Sequence, residues 1–383
     1  MALDPALSPL ELEQLLRRLS RRFSIARITP DRTEELHRFF QEAYRDQPNA
    51  VFWDPEQTRA HWRWVTELHP QAGPRGPAGW ICLKEGRIVG YFGMTPAMAS
   101  ARGRETAVCW GRDLIVAPET RSGGAGPVLI QAALKESGRP FLVAGLNPVS
   151  HALFHKMGFF DFGRVPLYIK IRDPLRFAQS LPIPGGLKPA AAVLAQAYRF
   201  SSRFSVPPRG PKLSFEILQR FDERFDRWWR EVEPAFPCVI RRTSAEMNWR
   251  YFRHPRHRYT VLAAAEGSRW KGVAVARHGR SKGFPACFIT ELLADPRDGG
   301  TLLSLLMETE EELQRSAAEP PVLTRCTVGS AMLQRTLLRG GFFRVPSTIH
   351  WMVSSAAGPE GYASLSRREE WLINGGDSDL DVF

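Results

Sequence analysis

The chain has 383 residues, 43% apolar and 24% charged, with a net charge of +12. That length exceeds one small domain and suits two or three, each with its own core. No run approaches the roughly 18 apolar residues that cross a bilayer, and the start, MALDPALSPLELEQ, lacks the basic-then-apolar order of a signal peptide. A cytoplasmic protein is therefore expected. The five cysteines (Cys82, Cys109, Cys238, Cys287, Cys326) are scattered and form no CxxC pair, which predicts reduced, buried thiols and no metal. The positive surplus attracts anions without choosing among them. No basic block with interleaved aromatics marks a single-strand groove, so DNA is not an expected partner.

In chain order, residues 1–22 read as an N-terminal amphipathic helix with Ser8 as its cap. Residues 23–173 form a first unit and 213–355 a second, because features recur in the same order. His61-Trp62-Arg63-Trp64 with His69-Pro70 is answered by Asn248-Trp249-Arg250-Tyr251 with His254-Pro255. The repeated aromatic and arginine read as a structural tie between helix and sheet. Gly79–Thr95 and Tyr259–His278 each read as a hairpin. Asp113-Leu114-Ile115-Val116-Ala117-Pro118 is answered by Glu291-Leu292-Leu293-Ala294-Asp295-Pro296, each followed by Gly-Gly and a helical run. Gly158-Phe159-Phe160 is answered by Gly341-Phe342-Phe343. The reading is two tandem copies of one α/β unit.

Between them, residues 174–212 form a Pro/Gly-punctuated linker with one helix, Leu187–Phe204. Its alanine-rich face suits packing between the two copies, and its basic, amphipathic end also suits peripheral membrane contact. The tail, residues 356–383, ends in GGDSDLDVF and reads as an exposed acidic segment.

The chemistry concentrates in Asp113–Gly126, DLIVAPETRSGGAG. An apolar strand is stopped by Pro118; Arg121-Ser122-Gly123-Gly124-Ala125-Gly126 then turns the chain, and Pro127 opens an apolar helix, where its missing N–H costs nothing. Free backbone N–H groups at a helix N-terminus hold a diphosphate, and glycines let the oxygens reach the backbone. Neither a Walker loop nor GxGxxG is present.

Arg121-x-x-Gly124-x-Gly126 after a strand resembles the acyl-CoA signature of the GCN5-related N-acetyltransferase (GNAT) superfamily. The later piece LVAGLNPVSHALFHKMGFFDFG resembles that fold's strand-helix-strand, with Asn147 after the strand and Gly158-Phe159 ending the helix. The resemblance implies an α/β (α+β) fold of two tandem GNAT-like domains, each a mixed, mostly antiparallel sheet flanked by helices. It also implies acetyl-CoA or another acyl-CoA as co-substrate, bound by the first domain through Ile115, Val116, Arg121, Ser122, Gly123, Gly124, Ala125, Gly126, Asn147 and Phe154. A neutral amine would attack the thioester, with the oxyanion on a backbone N–H near Ile115–Val116. The family's usual tyrosine acid falls at Phe154 here. Thiolate is a tolerable leaving group, with a thiol pKa of about 8.5, so Ser150, His151 or His155 could take that role. Asp113 is the candidate base, directly or through water, with an ion pair to Arg112 or another arginine as its alternative role.

The second copy carries Arg297 and Asp298 where phosphates would approach, and Leu337 where the first has Phe154. It reads as degenerate, although Glu291 could lend a carboxylate to a shared cleft. The expected activity is acyl-CoA-dependent N-acylation, with acetyl as the expected acyl group, of a small amine or amino-sugar-type acceptor; the intact loop favours CoA as the donor. A Fem-type transferase using aminoacyl-tRNA and an inactive CoA-binding module are the alternatives.

Overall fold

The computed structural model describes residues 9–45, 54–71, 79–180, 183–204, 212–354 and 370–378. Ser8, Asp379 and Asp381 lie outside them. The helices are α1 (Pro9–Ser20), α2 (Thr33–Ala43), α3 (Pro55–Thr66), α4 (Ala125–Ser137), α5 (Pro148–Lys156), α6 (Pro174–Ser180), α7 (Lys188–Phe204), α8 (Glu223–Val232), α9 (Ser244–Met247), α10 (Gly299–Arg315) and α11 (Ala331–Arg339). From the first half come strands β1 (Ser24–Arg27), β2 (Gly79–Lys84), β3 (Arg87–Ala101), β4 (Arg104–Val116), β5 (Phe141–Ala144), β6 (Phe159–Arg164) and β7 (Leu167–Ile171). The second half supplies β8 (Ser214–Ile217), β9 (Cys238–Ile240), β10 (Thr260–Glu266), β11 (Arg269–Ser281), β12 (Phe284–Ala294), β13 (Leu323–Thr327), β14 (Phe343–Val345), β15 (His350–Ser354) and β16 (Trp371–Leu372).

Two mixed, mostly antiparallel sheets result. One runs β1-β2-β3-β4-β5-β15-β6, with β9 and β16 added alongside β3, and the other runs β14-β7-β13-β12-β11-β10-β8. The last strand of each copy has crossed to the other. β15 lies between β5 and β6, pairing Trp351 with Ala144 and Val353 with Phe160. Reciprocally, β7 lies between β13 and β14, pairing Ile169 with Arg325 and with Phe343. The sequence explains why no hairpin forms there. β6 and β7 are joined by Val165-Pro166, which lacks the Gly or Asn that a tight hairpin turn needs at positive φ. The chain therefore runs on into the neighbouring sheet, and Val165 donates its N–H to Ile349 O at 2.8 Å. Once across, Lys170 of β7 and Arg172 just beyond it both reach the buried carboxylate of Glu310 on α10.

A second junction joins the copies through the repeated tryptophan segments. Trp64 on α3 stacks on Trp249, with ring centroids 4.4 Å apart and planes within 10°. Each indole N–H donates to the other residue's carbonyl, at 2.9 and 2.7 Å. The partner of Trp249 is thus Trp64 and not Trp62, which packs on Tyr91 in the first core. In this register the repeat tightens to Trp-x4-His-Pro in both copies, Trp64 to His69-Pro70 and Trp249 to His254-Pro255. His69 meets Trp249 and His254 meets Trp64, with centroids at 4.3 and 4.6 Å. The repeat ties copy to copy, where the sequence suggested a tie of helix to sheet.

The tail differs from its reading as an exposed acidic segment. β16 pairs with β9, Trp371 and Leu372 are buried, and Asp377 is buried against Arg242 at 3.1 Å. An apolar Trp-Leu-Ile run precedes the acids, and its burial carries Asp377 inward. The linker helix α7 buries Ala192 and Ala195, and Tyr198 donates to Gly341 O at 2.5 Å while leaving Val193, Leu194 and Phe200 exposed. All five cysteines are buried thiols outside any disulfide. Among the described residues no helix is long and apolar enough to cross a membrane.

Truncating Trp64 or Trp249 to alanine is expected to cost about 3–5 kcal/mol of unfolding free energy, read by denaturant titration. Each truncation removes the stack and its own indole hydrogen bond but leaves the backbone carbonyl that the other indole meets, so the double variant should cost more than either single one and less than their sum. The junction should also be acid-sensitive. Burial, then the charges of Arg250 and Arg112, holds the His69 imidazole down to about 4. The unfolded chain binds that proton at about 6.5, so the contribution is complete above pH 6.5 and is lost between pH 6.5 and 4. His69→Asn should flatten the fall in stability across that window.

Candidate functional site

The site begins where β4 and β5 part. The two run parallel but pair only at Cys109–Phe141 and Trp110–Leu142. Just beyond, the β3–β4 register slips between Tyr91 and Gly93, so that Asp113 and Leu114 bulge. Asp113 takes φ +51°, a left-handed value that a non-glycine residue holds only when its surroundings impose it. A bulge re-aims backbone groups away from the ladder. After it, Ala117 N–H donates to Val89 O at 2.9 Å. Strand alternation therefore turns Val116, and not Ile115, toward the β5 side. Consistently, the Val116 carbonyl accepts from Arg121 Nε at 3.1 Å. Of the two candidate oxyanion donors, Val116 is the one that faces the gap.

Asp113 is half-buried among two tyrosines that the sequence reading passed over. Burial, and then the Asp113 charge, raises the phenols of Tyr44 and Tyr91 above the ordinary tyrosine range. Tyr44 ends α2, and Tyr91 is the β3 residue opposite Ile115. No spacing in the sequence links them, because α2, β3 and β4 converge only in three dimensions.

The glycine loop forms a 3-10 turn, Pro118–Gly123, which Gly124 at φ +92° converts into α4. The helix begins at Ala125, so Pro127 lies inside the first turn, where a missing N–H is still harmless. Gly124 is the cap and supplies no side-chain acceptor, so the first N–H groups of α4 are not satisfied by a cap side chain. Arg121 and Ser122 are exposed and Gly123 is half-buried. Gly124, Ala125 and Gly126, however, are buried under protein. A Cβ on Gly124 would fall 2.6 Å from Leu19 of α1, and one on Gly126 would fall 3.2 Å from Leu153 of α5. Their small size thus serves packing against α1 and α5 as well as any close approach of a ligand.

The remaining candidates lie on α5. Asn147 is its N-cap, accepting from Ser150 N–H at 2.8 Å, and Ser150 Oγ donates to the Asn147 carbonyl at 3.1 Å. Phe154 is buried between Phe92 and Phe159, with centroids at 5.9 and 4.9 Å, and so belongs to the core under the gap. His155 is exposed. His151 is held by Asp161 of β6, its Nε2 2.7 Å from Oδ2. The same oxygen meets Nδ1 of His350 at 3.0 Å, a residue that β15 carries in from the other copy. Asp161 Oδ1 accepts from Gly163 N–H at 2.7 Å. Burial alone would raise the Asp161 carboxyl, but the bonds from His151, Gly163 and His350 hold it below its ordinary value. Neither Asp161 nor His350 carries a sequence signal, since the exchange of strands brings them together.

The second copy keeps the strand break and loses the rest. The β11–β12 register slips between Val275 and Ala276, leaving Thr290 bulged beside Glu291. β12 and β13 pair from Ala286–Leu323 to Ile289–Cys326 and then stop. The tail fills the space beyond: Gly376 N–H donates to Thr290 O at 3.0 Å and Gly329 N–H to Ile373 O at 2.9 Å, while Asn374 bridges Val328. Glu291 is fully buried, bound by Tyr251 OH at 2.7 Å and Arg242 at 3.1 Å. It is committed to this network rather than offered to a cleft. At the helix that answers α4, Asp298 caps α10, accepting from Thr301 N–H at 2.9 Å.

Residues 33–159 match the family described as Acetyltransferase (GNAT) family. Among solved structures, N-myristoyltransferase of Saccharomyces cerevisiae with bound myristoyl-CoA is similar over 87% of this chain and 82% of its own, at 11% identity and a TM-score of 0.56. A GCN5-related N-acetyltransferase from Anabaena variabilis covers 87% of this chain and 72% of its own, at 14% identity and a TM-score of 0.58. A probable N-acyltransferase from Enterococcus faecalis covers 86% and 71%, at 10% identity and a TM-score of 0.55. No curated protein matches the sequence. At such identities the likeness establishes the fold. Residues 33–159, about one third of the chain, thus match the GNAT acetyltransferase family, within a fold that most of the chain shares with these N-acyltransferase structures.

Proposed function

We propose that the protein is an acyl-CoA-dependent N-acyltransferase that binds one CoA, on its first half, and acylates a small amine or amino-sugar-type acceptor. The observation that carries this reading is the contrast between the two copies. In the first, β4 and β5 part after Trp110 and α4 starts without a side-chain cap. In the second, the tail fills the corresponding gap and the Asp298 carboxylate occupies the helix N-terminus. A diphosphate is attracted to uncapped N–H groups and repelled by a carboxylate. The family described for residues 33–159 is an acetyltransferase family, which favours CoA over aminoacyl-tRNA as the donor.

In this reading the pantetheine arm runs into the gap and the thioester carbonyl meets the Val116 N–H. The acceptor approaches from the side of α2 and α3, where Asp113 takes its proton and Tyr44 or Tyr91 stands near the departing sulfur. Such acid–base help is typically worth 10²–10⁴-fold. A fixed N–H donor at the oxyanion contributes a further few kcal/mol of barrier lowering.

Two measurements test the proposal. Calorimetric titration with acetyl-CoA should show one site per chain. Ser122→Glu, an exposed change that leaves the core alone, should weaken binding at least tenfold by placing negative charge beside the diphosphate. Absence of acetyl-CoA binding in the unaltered chain would sink the reading. In acyl transfer to a panel of amines, Asp113→Asn should lower kcat by about 10²-fold while leaving acetyl-CoA affinity unchanged.

A further inference from the structure

From the convergence of His151, Asp161 and His350 we infer a binding site for one divalent transition ion of the zinc class. The three side chains come from α5, β6 and the exchanged β15, and each is about one-quarter exposed, so an ion can reach them from solvent. One donor atom from each lies within 4.8 Å of the others. Two imidazole nitrogens and one carboxylate oxygen are the donors that zinc and its neighbours prefer. Donors held about 2.0–2.2 Å from zinc stand roughly 3.3 Å apart. The observed separations of 2.7 and 3.0 Å from Asp161 Oδ2 to the two nitrogens need open by only a few tenths of an ångström.

The surroundings already resemble the outer shell of such a site. Gly163 N–H holds Asp161 Oδ1, fixing the carboxylate so that Oδ2 alone faces the two rings. One feature opposes an ion. Arg164 Nε lies 3.3 Å from His350 Nε2, which keeps the His350 proton on Nδ1, pointing at Asp161. On binding, the ion takes the place of the two ring protons directed at Oδ2. Each neutral ring then carries its proton on the other nitrogen, Nδ1 of His151 and Nε2 of His350, and the exposed Arg164 side chain turns away from His350. Three protein ligands leave room for at least one water or acceptor group.

The test uses the full chain and zinc itself, so it is independent of whether the acyltransfer reading holds. Calorimetric titration of the metal-stripped protein with Zn²⁺ should give one ion per chain. Asp161→Asn and His350→Gln should each weaken binding at least tenfold, with the melting profile serving as the check that both are folded. Arg164→Gln should tighten binding, a result that a purely hydrogen-bonded triad does not predict. Cobalt substitution should give visible d–d absorption that His350→Gln removes. Failure of the unaltered chain to bind Zn²⁺, or equal binding by the His350→Gln variant, overturns the inference.

Discussion

The exchange of strands between the two copies is the constraint on which the rest depends. β15 completes the first sheet and β7 the second, so neither half has a closed hydrogen-bond ladder without the other. A missing inner strand would leave a row of unpaired N–H and C=O groups in the core, and each buried unsatisfied group costs about 1–3 kcal/mol. The halves are therefore one folding unit, although each has its own hydrophobic cluster. The Trp64–Trp249 stack and the Lys170–Glu310–Arg172 group fasten the same two bodies at other points. The exchange also has a chemical consequence, since His350 reaches the α5 side of the first copy only because β15 does.

Duplication preserved the backbone device and let the side chains diverge. Both central strands slip in this region, with Asp113 inside the bulge of one copy and Glu291 paired with Val275 directly after the bulge at Thr290 in the other. Asp113 remains half-buried near Tyr44 and Tyr91. Glu291 is instead buried with Asp377, both against Arg242. Burial pushes the Glu291 carboxyl up, and Asp377 adds to that push against Arg242. Two buried carboxylates on one guanidinium are stable only when hydrogen-bonded all round. Tyr251 and the backbone N–H of Asn374 supply those bonds. A carboxylate so committed is poorly suited to accept protons from a substrate.

The tail shows how a short segment can change the meaning of a duplicated site. Ile373–Asp377 enters the space beyond the last β12–β13 pair and satisfies backbone groups that a ligand would otherwise meet. Gly376 is required there, because a Cβ would collide with Tyr251 OH and stand 2.5 Å from Glu291 Oε1. One copy is thus closed by its own chain, and the asymmetry of the molecule follows from it.

The sequence by itself determined the repeated units, the hairpins, and the strand-loop-helix of Asp113–Gly126, because those rest on local patterns: alternation, glycine and proline placement, and a short motif. It also pointed to His151 and Asp113, although without their partners. Only the tertiary structure decided that Trp64 rather than Trp62 faces Trp249, that the last strands trade places, and that residues 371–378 of the tail are buried. It also decided that Gly124 and Gly126 lie beneath Leu19 and Leu153, and that Asp161 and His350 meet His151. These are contacts between segments far apart in the chain. Their energies come from burial and from satisfied backbone groups, and neither leaves a periodic mark in the sequence.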